Sequence, residues 1–396
     1  TIGLPVMCFN IGAPAERVKR YEKGIIIPEI SAEAVVNTIR ENEVIAKLKE
    51  KPYSRKRILF VVEDITFSSR YRVDHLREQL LQKGIASDCV KQENASKCNL
   101  ERYLGVVVYR SSQVETIQKL VDKAHRAGKK VYYDMDDYIF DYPEIKDLNF
   151  LDGEDYIGFE EYSENICKTM QLCDGYIVST INLKNAVERK FPGKKVVINR
   201  NVASMEMMVI SLCSRKEEDD EKIRLGYFSG SKTHNEDFES IKNVILSIME
   251  KNKHVSLLIG GQIELPTEFN AVKDRIERFD FVSWKKLPHL IAKADINLMP
   301  LEDTFFHACK SENKWMEAAF VNVPTVATWS TELGGAIEDG VDGYLCRNMT
   351  EWEVKLQKLI DDETLRKKIA ENANQKVMQN YTTYTLEPEV LELFSK

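Results

Sequence analysis

The sequence predicts an α/β protein built from two doubly wound parallel sheets that face each other across a cleft. The chain has 396 residues, which exceeds the roughly 250–300 residues at which a single hydrophobic core stops growing. Short apolar, β-branched runs alternate with amphipathic stretches, and this order of strand, helix and strand is typical of parallel sheets. A charged run at residues 215–222 (RKEEDDEK) interrupts the alternation and predicts a linker between two domains.

The composition indicates a folded protein and excludes several functional classes. Hydrophobic residues make up 43% of the chain and charged residues 30%, so disordered and collagen-like proteins are excluded. The formal net charge of −7 argues against a protein that coats nucleic acid. No stretch approaches the roughly 20 apolar residues of a membrane-spanning helix, and the eight cysteines form no CxxC pair. We therefore expect a cytoplasmic protein with reduced thiols and no nucleic-acid partner.

The first of the two domains is expected at residues 56–214. Its apolar runs, such as RILFVV at 57–62, indicate strands that are buried on both faces. Gly84 and Gly128 follow two amphipathic segments and are typical of helix ends. The predicted strands are 57–62, 105–109, 130–134, 175–179 and 195–198, and the predicted helices are 71–83, 112–127, 158–173 and 181–190.

The second domain is expected at residues 222–380 and repeats the alternation. We expect the remaining segment, 381–396, to cross back to the first domain. The predicted strands are 223–228, 255–260, 279–283, 295–299, 324–328 and 343–346, and the predicted helices are 236–250, 268–277, 287–293, 310–320, 351–360 and 363–378.

Residues 1–50 contain an internal repeat of the end of the second domain. Leu4-Pro5-Val6 aligns with Val323-Pro324-Thr325, and the same offset aligns residues 23–26 with residues 342–345. Each copy then runs into a predicted helix, at 31–49 and at 351–360. A chance likeness between two αβ segments is the alternative. We predict that residues 1–50 are the C-terminal remnant of an upstream domain of similar type.

The loop after strand 223–228 has the composition of a phosphate-binding loop. Gly230 allows a ligand close to the backbone, Ser231 and Lys232 follow, and Thr233 and His234 precede the next helix. Small residues, a lysine and a helix N-terminus together suit a phosphate. The alternative is an ordinary capped loop, since Glu236 and Asp237 weaken the positive field at this helix end.

The predicted helix at 310–320 carries three charged residues at helical spacing. Lys310, Lys314 and Glu317 fall on one face of such a helix. Two ammonium groups could hold a diphosphate, and the carboxylate could accept the two hydroxyls of a ribose. A solvated stripe with a Lys314–Glu317 pair is the alternative.

Charged residues also follow the first-domain strands. Asp134, Asp136 and Asp137 come at the end of strand 130–134, where they suit either a divalent cation or sugar hydroxyls. Arg70 and Arg72 lie at the mouth of the first strand, facing the cleft. Aspartates that cap a strand and arginines on the surface are the alternatives.

Several motifs in a fixed order carry a family resemblance. In the second domain they are GYFSGSKTHNEDF (226–238), SLLIGG (256–261), FVSWKKLPHLIAKADINLMPL (281–301), KSENKWMEAAFVNVPTVAT (310–328) and GVDGYL (340–345). In the first domain they are ILFVVEDITFSSRYR and VYYDMDDYIF. Residues 56–380 thereby resemble a glycosyltransferase of the GT-B fold, with two Rossmann-like domains. They most resemble the retaining enzymes of glycosyltransferase family 4, in particular bacterial rhamnosyl- and polysaccharide-assembly transferases. Residues 1–30 resemble the same region of another such transferase.

The resemblance implies transfer of a hexosyl or rhamnosyl group from a nucleoside diphosphate sugar to an acceptor hydroxyl of a growing glycan, with retained anomeric configuration. It implies no metal and no cofactor besides the donor substrate. The implied partners are the nucleotide sugar, the glycan acceptor, an upstream transferase domain of the same longer chain and, through a lipid-linked acceptor, the inner face of the membrane. The implied roles are catalysis by Lys232, Lys310, Lys314 and Asp136, donor binding by Gly230, Ser231, Thr233, His234, Trp284, Ser311 and Glu317, and acceptor or sugar binding by Arg70, Arg72, Asp134 and Asp137.

One position departs from the family pattern. The family places two glutamates around helix 310–320, the first near the donor sugar and the second at the ribose. Glu317 matches the second, whereas Cys309 or Lys310 occupies the first. This departure supports a competing hypothesis, in which the chain is a catalytically degenerate transferase-like module that binds a glycan, a nucleotide sugar or a protein partner.

Overall fold

The computed structural model describes residues 6–20, 24–41, 57–65, 67–152, 156–214, 222–230 and 235–394. The chain divides into two compact units, residues 1–56 and residues 57–396. None of the described helices has the length and apolar character required to cross a membrane.

The smaller unit contains a two-stranded parallel sheet. Strand β1 (Val6–Phe9) pairs with β2 (Gly24–Ile27), and helices α1 (Gly12–Lys19) and α2 (Ala32–Glu41) follow the two strands. Ile25 and Ile27 are buried. The second half of the helix predicted at 31–49 lies outside the described residues, and the origin of this unit as a domain remnant stays a prediction.

The larger unit begins with a six-stranded parallel sheet in the order β4-β3-β5-β6-β7-β8. Its central strands are apolar and buried on both faces, as in other parallel sheets covered by helices. The strands are β3 (Arg57–Val62), β4 (Ala86–Lys91), β5 (Gly105–Tyr109), β6 (Lys130–Met135), β7 (Gly175–Val178) and β8 (Lys195–Ile198). The helices are α3 (Leu76–Gln82), α4 (Gln92–Ala95), α5 (Val114–Arg126), α6 (Tyr142–Ile145), α7 (Phe159–Leu172), α8 (Ile181–Lys190) and α9 (Met205–Cys213), and a π-helical turn (Arg70–His75) leads into α3.

A second six-stranded parallel sheet has the order β11-β10-β9-β12-β13-β14. Its strands are β9 (Ile223–Ser229), β10 (Val255–Gly261), β11 (Ile276–Phe279), β12 (Ile296–Met299), β13 (Thr325–Thr328) and β14 (Tyr344–Cys346). Its helices are α10 (Asn235–Ser240), α11 (Lys242–Lys251), α12 (Leu287–Ile291), α13 (Phe305–Ala308), α14 (Asn313–Phe320), α15 (Thr331–Ala336), α16 (Met349–Asp361) and α17 (Glu363–Asn380); α18 (Pro388–Glu392) ends the chain's described part. The predicted α/β class with two parallel, Rossmann-like sheets is confirmed.

The strand order creates a crevice in each sheet. The direction of winding reverses between β3 and β5 in the first sheet and between β9 and β12 in the second. Ligands of open α/β sheets bind beyond the carboxyl ends of the strands at such points. The loops after β3, β9 and β12 are therefore the places where a site is expected.

Residues after α17 pack on the first sheet. The Gln79 side chain donates to the Thr385 carbonyl oxygen at 2.6 Å, and the Tyr132 hydroxyl donates to the Leu393 carbonyl oxygen at 2.9 Å. The Phe394 ring meets the Tyr132 ring edge-on. The last described residues thus contact strands and helices of the first domain.

Some predicted elements have other bounds in the structure. The helix predicted at 310–320 begins only at Asn313, so Lys310 and Ser311 precede it. The helix predicted at 236–250 is divided at Ile241, and the strand predicted at 279–283 lies at Ile276–Phe279. Strand β4 and helices α1, α4, α6, α9, α13, α15 and α18 have no counterpart among the predicted elements.

Candidate active site

A cavity of about 310 Å³ lies between the two sheets. Its walls come from the carboxyl ends of β9, β10 and β12, from the start of α14 and from the turn after β3. The residues that line it include Phe67, Ser68, Tyr71, Asp136, Asp137, Phe228, Gly230, Gly261, Phe281, Asn297, Met299, Lys310, Ser311, Asn313, Lys314 and Glu317. The points at which the winding of the two sheets reverses, between β3 and β5 and between β9 and β12, therefore open into one cavity.

The glycine at the end of β10 lets two strand ends approach each other in the cavity wall. Gly261 has a φ of +97°, and a Cβ atom there would lie 1.9 Å from the Ser229 carbonyl oxygen. Only glycine tolerates both conditions. Gly230 lines the cavity, and its donor-binding role stays a prediction; Ser231, Lys232, Thr233 and His234 lie outside the described residues.

The first domain holds the segment that precedes α14. The Thr180 hydroxyl donates to the Cys309 carbonyl oxygen at 3.1 Å, and the Asn182 amide donates to that of Ala308 at 2.7 Å. The Asn201 amide donates to Ser311 Oγ at 3.2 Å. These bonds between the domains position Lys310 and Ser311 at the cavity.

Lys310 forms an ion pair across the cavity with Asp137. The Lys310 ammonium lies 2.7 Å from Asp137 Oδ1, and Arg110 also contacts this carboxylate. Arg110 further binds Asp136, whose Oδ1 lies 2.8 Å from its Nη2. Burial acts to raise the pKa of Asp137, but Lys310 and Arg110 hold that pKa below its usual value. The carboxylate is therefore ionised at neutral pH.

Lys314 presents a buried ammonium group that has no hydrogen-bond partner in the part of the chain that the structure describes. Its Nζ lies 4.5 Å from the centre of the Tyr227 ring. Burial, and then repulsion from Lys310, lowers the pKa of Lys314 to about 8, against the attraction of Asp237 and Glu317. A buried cation without a partner is costly, so this position suits an anionic ligand.

Glu317, one turn along α14, is bound by two side chains of the first domain. The Tyr71 hydroxyl donates to Glu317 Oε1 at 2.5 Å, and Arg70 Nη2 donates to the same oxygen at 3.3 Å. Trp284 does not line the cavity; its ring lies against the Arg70 guanidinium, 4.9 Å away. Arg70, which is predicted to bind acceptor or sugar, does not line the cavity either; it contacts Glu317 and aromatic rings.

Two residues expected to bind sugar are instead paired inside the first domain. Arg72 Nε and Nη2 donate to Asp134 Oδ1 and Oδ2 at 2.7 and 2.9 Å, and Arg72 also reaches the Asn199 carbonyl oxygen. Both side chains have no exposed surface. Neither lines the cavity, because they connect the π-helical turn to β6 beneath it.

Tyr71 and Arg110 are among the site residues that the sequence patterns do not predict. Arg110 directly follows β5 and has a φ of 43°, a conformation that is uncommon for a residue with a side chain and that is enriched at active sites. Its position directly after the carboxyl end of a strand, where ligands of open α/β sheets bind, is a signal that the sequence does carry. Tyr71 carries no such signal, because its contact with Glu317 forms only when the two domains meet.

Among the described residues, three side chains have ligand atoms close enough to hold a metal ion, those of Asp237, Glu302 and His307. His307 Nε2 lies 3.5 Å from Asp237 Oδ1 and 3.6 Å from Glu302 Oε2. Burial lowers the pKa of His307 and so favours the neutral imidazole. These three residues do not line the cavity.

The second domain, which carries Lys314 and Glu317, is similar in sequence to a known protein family. Residues 224–362 match the family described as glycosyl transferases group 1. The match covers β9 to α16, including the cavity residues of the second domain. No curated protein matches the sequence significantly.

Solved structures share the fold of both domains. A structure of Alr3699/HepE from Anabaena in complex with UDP and glucose has a TM-score of 0.58 and 14% identity, covering 86% of this chain and 99% of that chain. A glycosyltransferase from Rickettsia africae has a TM-score of 0.60 and 13% identity, and the alignment covers 86% of this chain and 98% of that chain. Sucrose-phosphate synthase from Thermosynechococcus elongatus has a TM-score of 0.55 and 10% identity, and the alignment covers 83% of this chain and 95% of that chain. The fold is that of the GT-B glycosyltransferases.

Proposed function

We propose that this protein transfers a sugar from a nucleoside diphosphate sugar to a hydroxyl of a glycan or polysaccharide. The observation that carries the proposal is the buried Lys314 ammonium, which has no hydrogen-bond partner among the described residues and lies in the same cavity as the Glu317 carboxylate. A diphosphate supplies the anion that Lys314 requires, and Glu317 accepts hydroxyls of the ribose. The cavity lies at the switch point between β9 and β12, and the match of this domain to group 1 glycosyl transferases supports the same ligand.

The proposed reaction replaces one bond at the anomeric carbon by another. The bond to the diphosphate oxygen breaks, the acceptor oxygen bonds to the same carbon, and the proton of the acceptor hydroxyl passes to the departing diphosphate. Lys314 stabilises the negative charge that develops on the diphosphate, and we assign the same task to Lys232. Asp136 and Asp137 accept hydrogen bonds from hydroxyls of the reacting sugar, while Lys310 and Arg110 hold Asp137 in place.

The finer parts of the proposal come from the sequence resemblance. They are a hexosyl or rhamnosyl donor, retention of anomeric configuration, independence of metal, a lipid-linked acceptor at the inner face of the membrane, and an upstream transferase domain in a longer chain. The bound UDP and glucose named for the HepE structure support UDP-glucose as the first donor to test.

Release of nucleoside diphosphate without acceptor tests the proposal. We expect slow release from UDP-glucose, GDP-mannose or dTDP-rhamnose, equal with and without EDTA, and lost in Lys314→Met. An acceptor found later should receive the sugar with retained configuration in the NMR spectrum. Release that EDTA abolishes and Mg²⁺ or Mn²⁺ restores would contradict the metal-free reaction.

A binding module without activity is the second candidate function. The observation in its favour is the ion pair of Lys310 with Asp137 at the place where the family has a glutamate near the donor sugar. Such a module binds a nucleotide sugar but releases no nucleoside diphosphate from it, so the same assay separates the two functions.

A further inference from the structure

Two residues of the first domain hold the carboxylate of Glu317 in one orientation. We propose that Tyr71 and Arg70 are positioning residues for this carboxylate, so that the first domain controls how the second domain recognises ribose. The inference rests on the proposed function, since it takes Glu317 as the acceptor of ribose hydroxyls.

The two hydrogen bonds converge on one oxygen of Glu317. Tyr71 Oη and Arg70 Nη2 lie 2.5 and 3.3 Å from Oε1. Among the described residues neither donor reaches Oε2, which leaves that oxygen for a ligand. Fixing one oxygen also fixes the plane of the carboxylate. A carboxylate that must meet two adjacent hydroxyls gains from such preorganisation, because less freedom is lost when the ligand binds.

Arg70 is fixed in its place by aromatic rings. Its guanidinium carbon lies 4.6 Å from the ring centre of Phe67, 4.4 Å from that of Tyr71 and 4.9 Å from that of Trp284. Cations over aromatic faces are attracted to them electrostatically. Its side chain is only 7% exposed. Arg70 is therefore held toward Glu317 and away from solvent.

Tyr71 remains a hydrogen-bond donor over the whole working range of pH. Burial raises the pKa of Tyr71 well above its usual value, and the charge of Glu317 adds to this effect against that of Arg70. The phenol therefore keeps its proton and donates to the carboxylate. It also lines the cavity beside Glu317.

The local backbone explains why these two residues face the second domain. Arg70 and Tyr71 begin a π-helical turn, a rare geometry that occurs frequently at functional sites. The next residue, Arg72, points to Asp134 in the first domain. The same turn is thereby anchored in one domain and presents its first two side chains to the other.

Nucleotide discrimination tests the inference. The probes are UDP and 2′,3′-dideoxy-UDP, titrated by calorimetry into the full chain. We expect the wild type to prefer UDP by about tenfold or more, because the dideoxy analogue loses hydrogen bonds to a charged group. Tyr71→Phe should reduce this preference by at least about threefold, whereas a role in stability alone would leave it unchanged. Arg70→Lys, which keeps the charge but not the planar group, should also reduce it.

Two further variants separate the possible failures. Tyr132→Phe removes one buried tyrosine hydroxyl bond elsewhere in the first domain and should keep the wild-type preference. If Glu317→Gln abolishes the preference while Tyr71→Phe and Arg70→Lys retain it, the positioning role is wrong and the proposed function stands. If the wild type and Glu317→Gln show the same preference, Glu317 does not bind ribose, and the proposed placement of the nucleotide fails as well.

Discussion

Lys310, which precedes α14, and Lys314, in the first turn of that helix, have different electrostatic surroundings. The Lys310 ammonium is paired with Asp137 at 2.7 Å. The Lys314 ammonium is buried, without a partner among the described residues, and its pKa is lowered to about 8 by burial and by Lys310. Only Lys314 is therefore free to take up a charged ligand without first breaking an ion pair.

The pH dependence of nucleotide binding should report the titration of Lys314. A bound diphosphate favours the charged lysine and raises its pKa, so affinity is greatest below the pKa of the free protein and falls as pH rises through about 8. Calorimetric titration with UDP between pH 7 and pH 9, values that span the shift, measures this fall. Lys314→Met should bind more weakly at pH 7 and show little change over the range. A wild-type affinity that is constant or increases with pH would contradict this role.

Asp137→Asn should separate binding from turnover. The change removes the negative charge that holds Lys310, so the freed ammonium becomes available to the diphosphate. We expect UDP to bind as tightly as before or more tightly, while release of UDP from UDP-glucose falls at least about tenfold, equivalent to about 1.4 kcal/mol. Loss of UDP affinity with unchanged turnover would place Asp137 at the nucleotide instead.

Individual site residues could be predicted where a local pattern carries the information. Lys314 and Glu317 line the cavity because helical spacing places them on one face of α14. Arg72 and Asp134 show where such reasoning stops. They are 62 positions apart, and charge and position after a strand describe a ligand-binding residue and a buried ion pair equally well.

At the scale of elements, an ion-pair cluster joins the N-terminus of α14 to the first domain. Arg200 Nη1 lies 3.0 Å from Glu312 Oε1 and 3.1 Å from Glu332 Oε1. The two glutamate side chains are 2% and 1% exposed, and that of Arg200 is 35% exposed. Burial, and then the charge of Glu312, raises the pKa of Glu332. Arg200 is thus the cation that compensates two buried carboxylates.

Arg200→Met should destabilise the protein by about 2 kcal/mol at pH 7. Leaving a buried carboxylate uncompensated costs about 3–5 kcal/mol, and the partial exposure of Arg200 reduces this value. Urea denaturation measures the change. The loss should shrink as pH falls toward 5, since the pKa of Glu332 is raised by burial and its protonation removes one uncompensated charge. Lys285→Ala is the control; it breaks an exposed pair with Glu206 and should change stability by less than about 1 kcal/mol. Equal losses in both variants would contradict the account.

The elements predicted correctly are those with a strong pattern of burial. Strands such as β5 are apolar throughout and fully buried. Strand β4 (ASDCVK) lies at the edge of its sheet, is polar and partly exposed, and so resembles a loop in sequence. Helix α9 (MEMMVISLC) has apolar residues on all sides. It therefore lacks the single apolar face, repeating about every 3.6 residues, by which a helix is identified in sequence.

At the scale of the whole molecule, residues 1–56 form a compact unit separate from residues 57–396. A chain that begins at Tyr53 should therefore fold and bind UDP with the wild-type affinity. Thermal unfolding and calorimetry measure both properties. Insoluble protein, or a melting temperature lowered by many degrees, would show that the larger unit depends on the smaller one.

The fold class could be predicted because alternation and strand ends are local features repeated along the chain. The contacts between domains could not, because they join residues far apart in sequence, such as Tyr71 with Glu317 and Asp137 with Lys310. Those contacts decide which charged residues remain available to a ligand.

A crystal structure of the protein with bound UDP would show whether Lys314 and Glu317 bind the nucleotide. We expect the diphosphate to lie within hydrogen-bond distance of Lys314 Nζ and the ribose hydroxyls to contact the Glu317 carboxylate. A diphosphate bound away from Lys314, or a ribose that does not contact Glu317, would contradict this expectation.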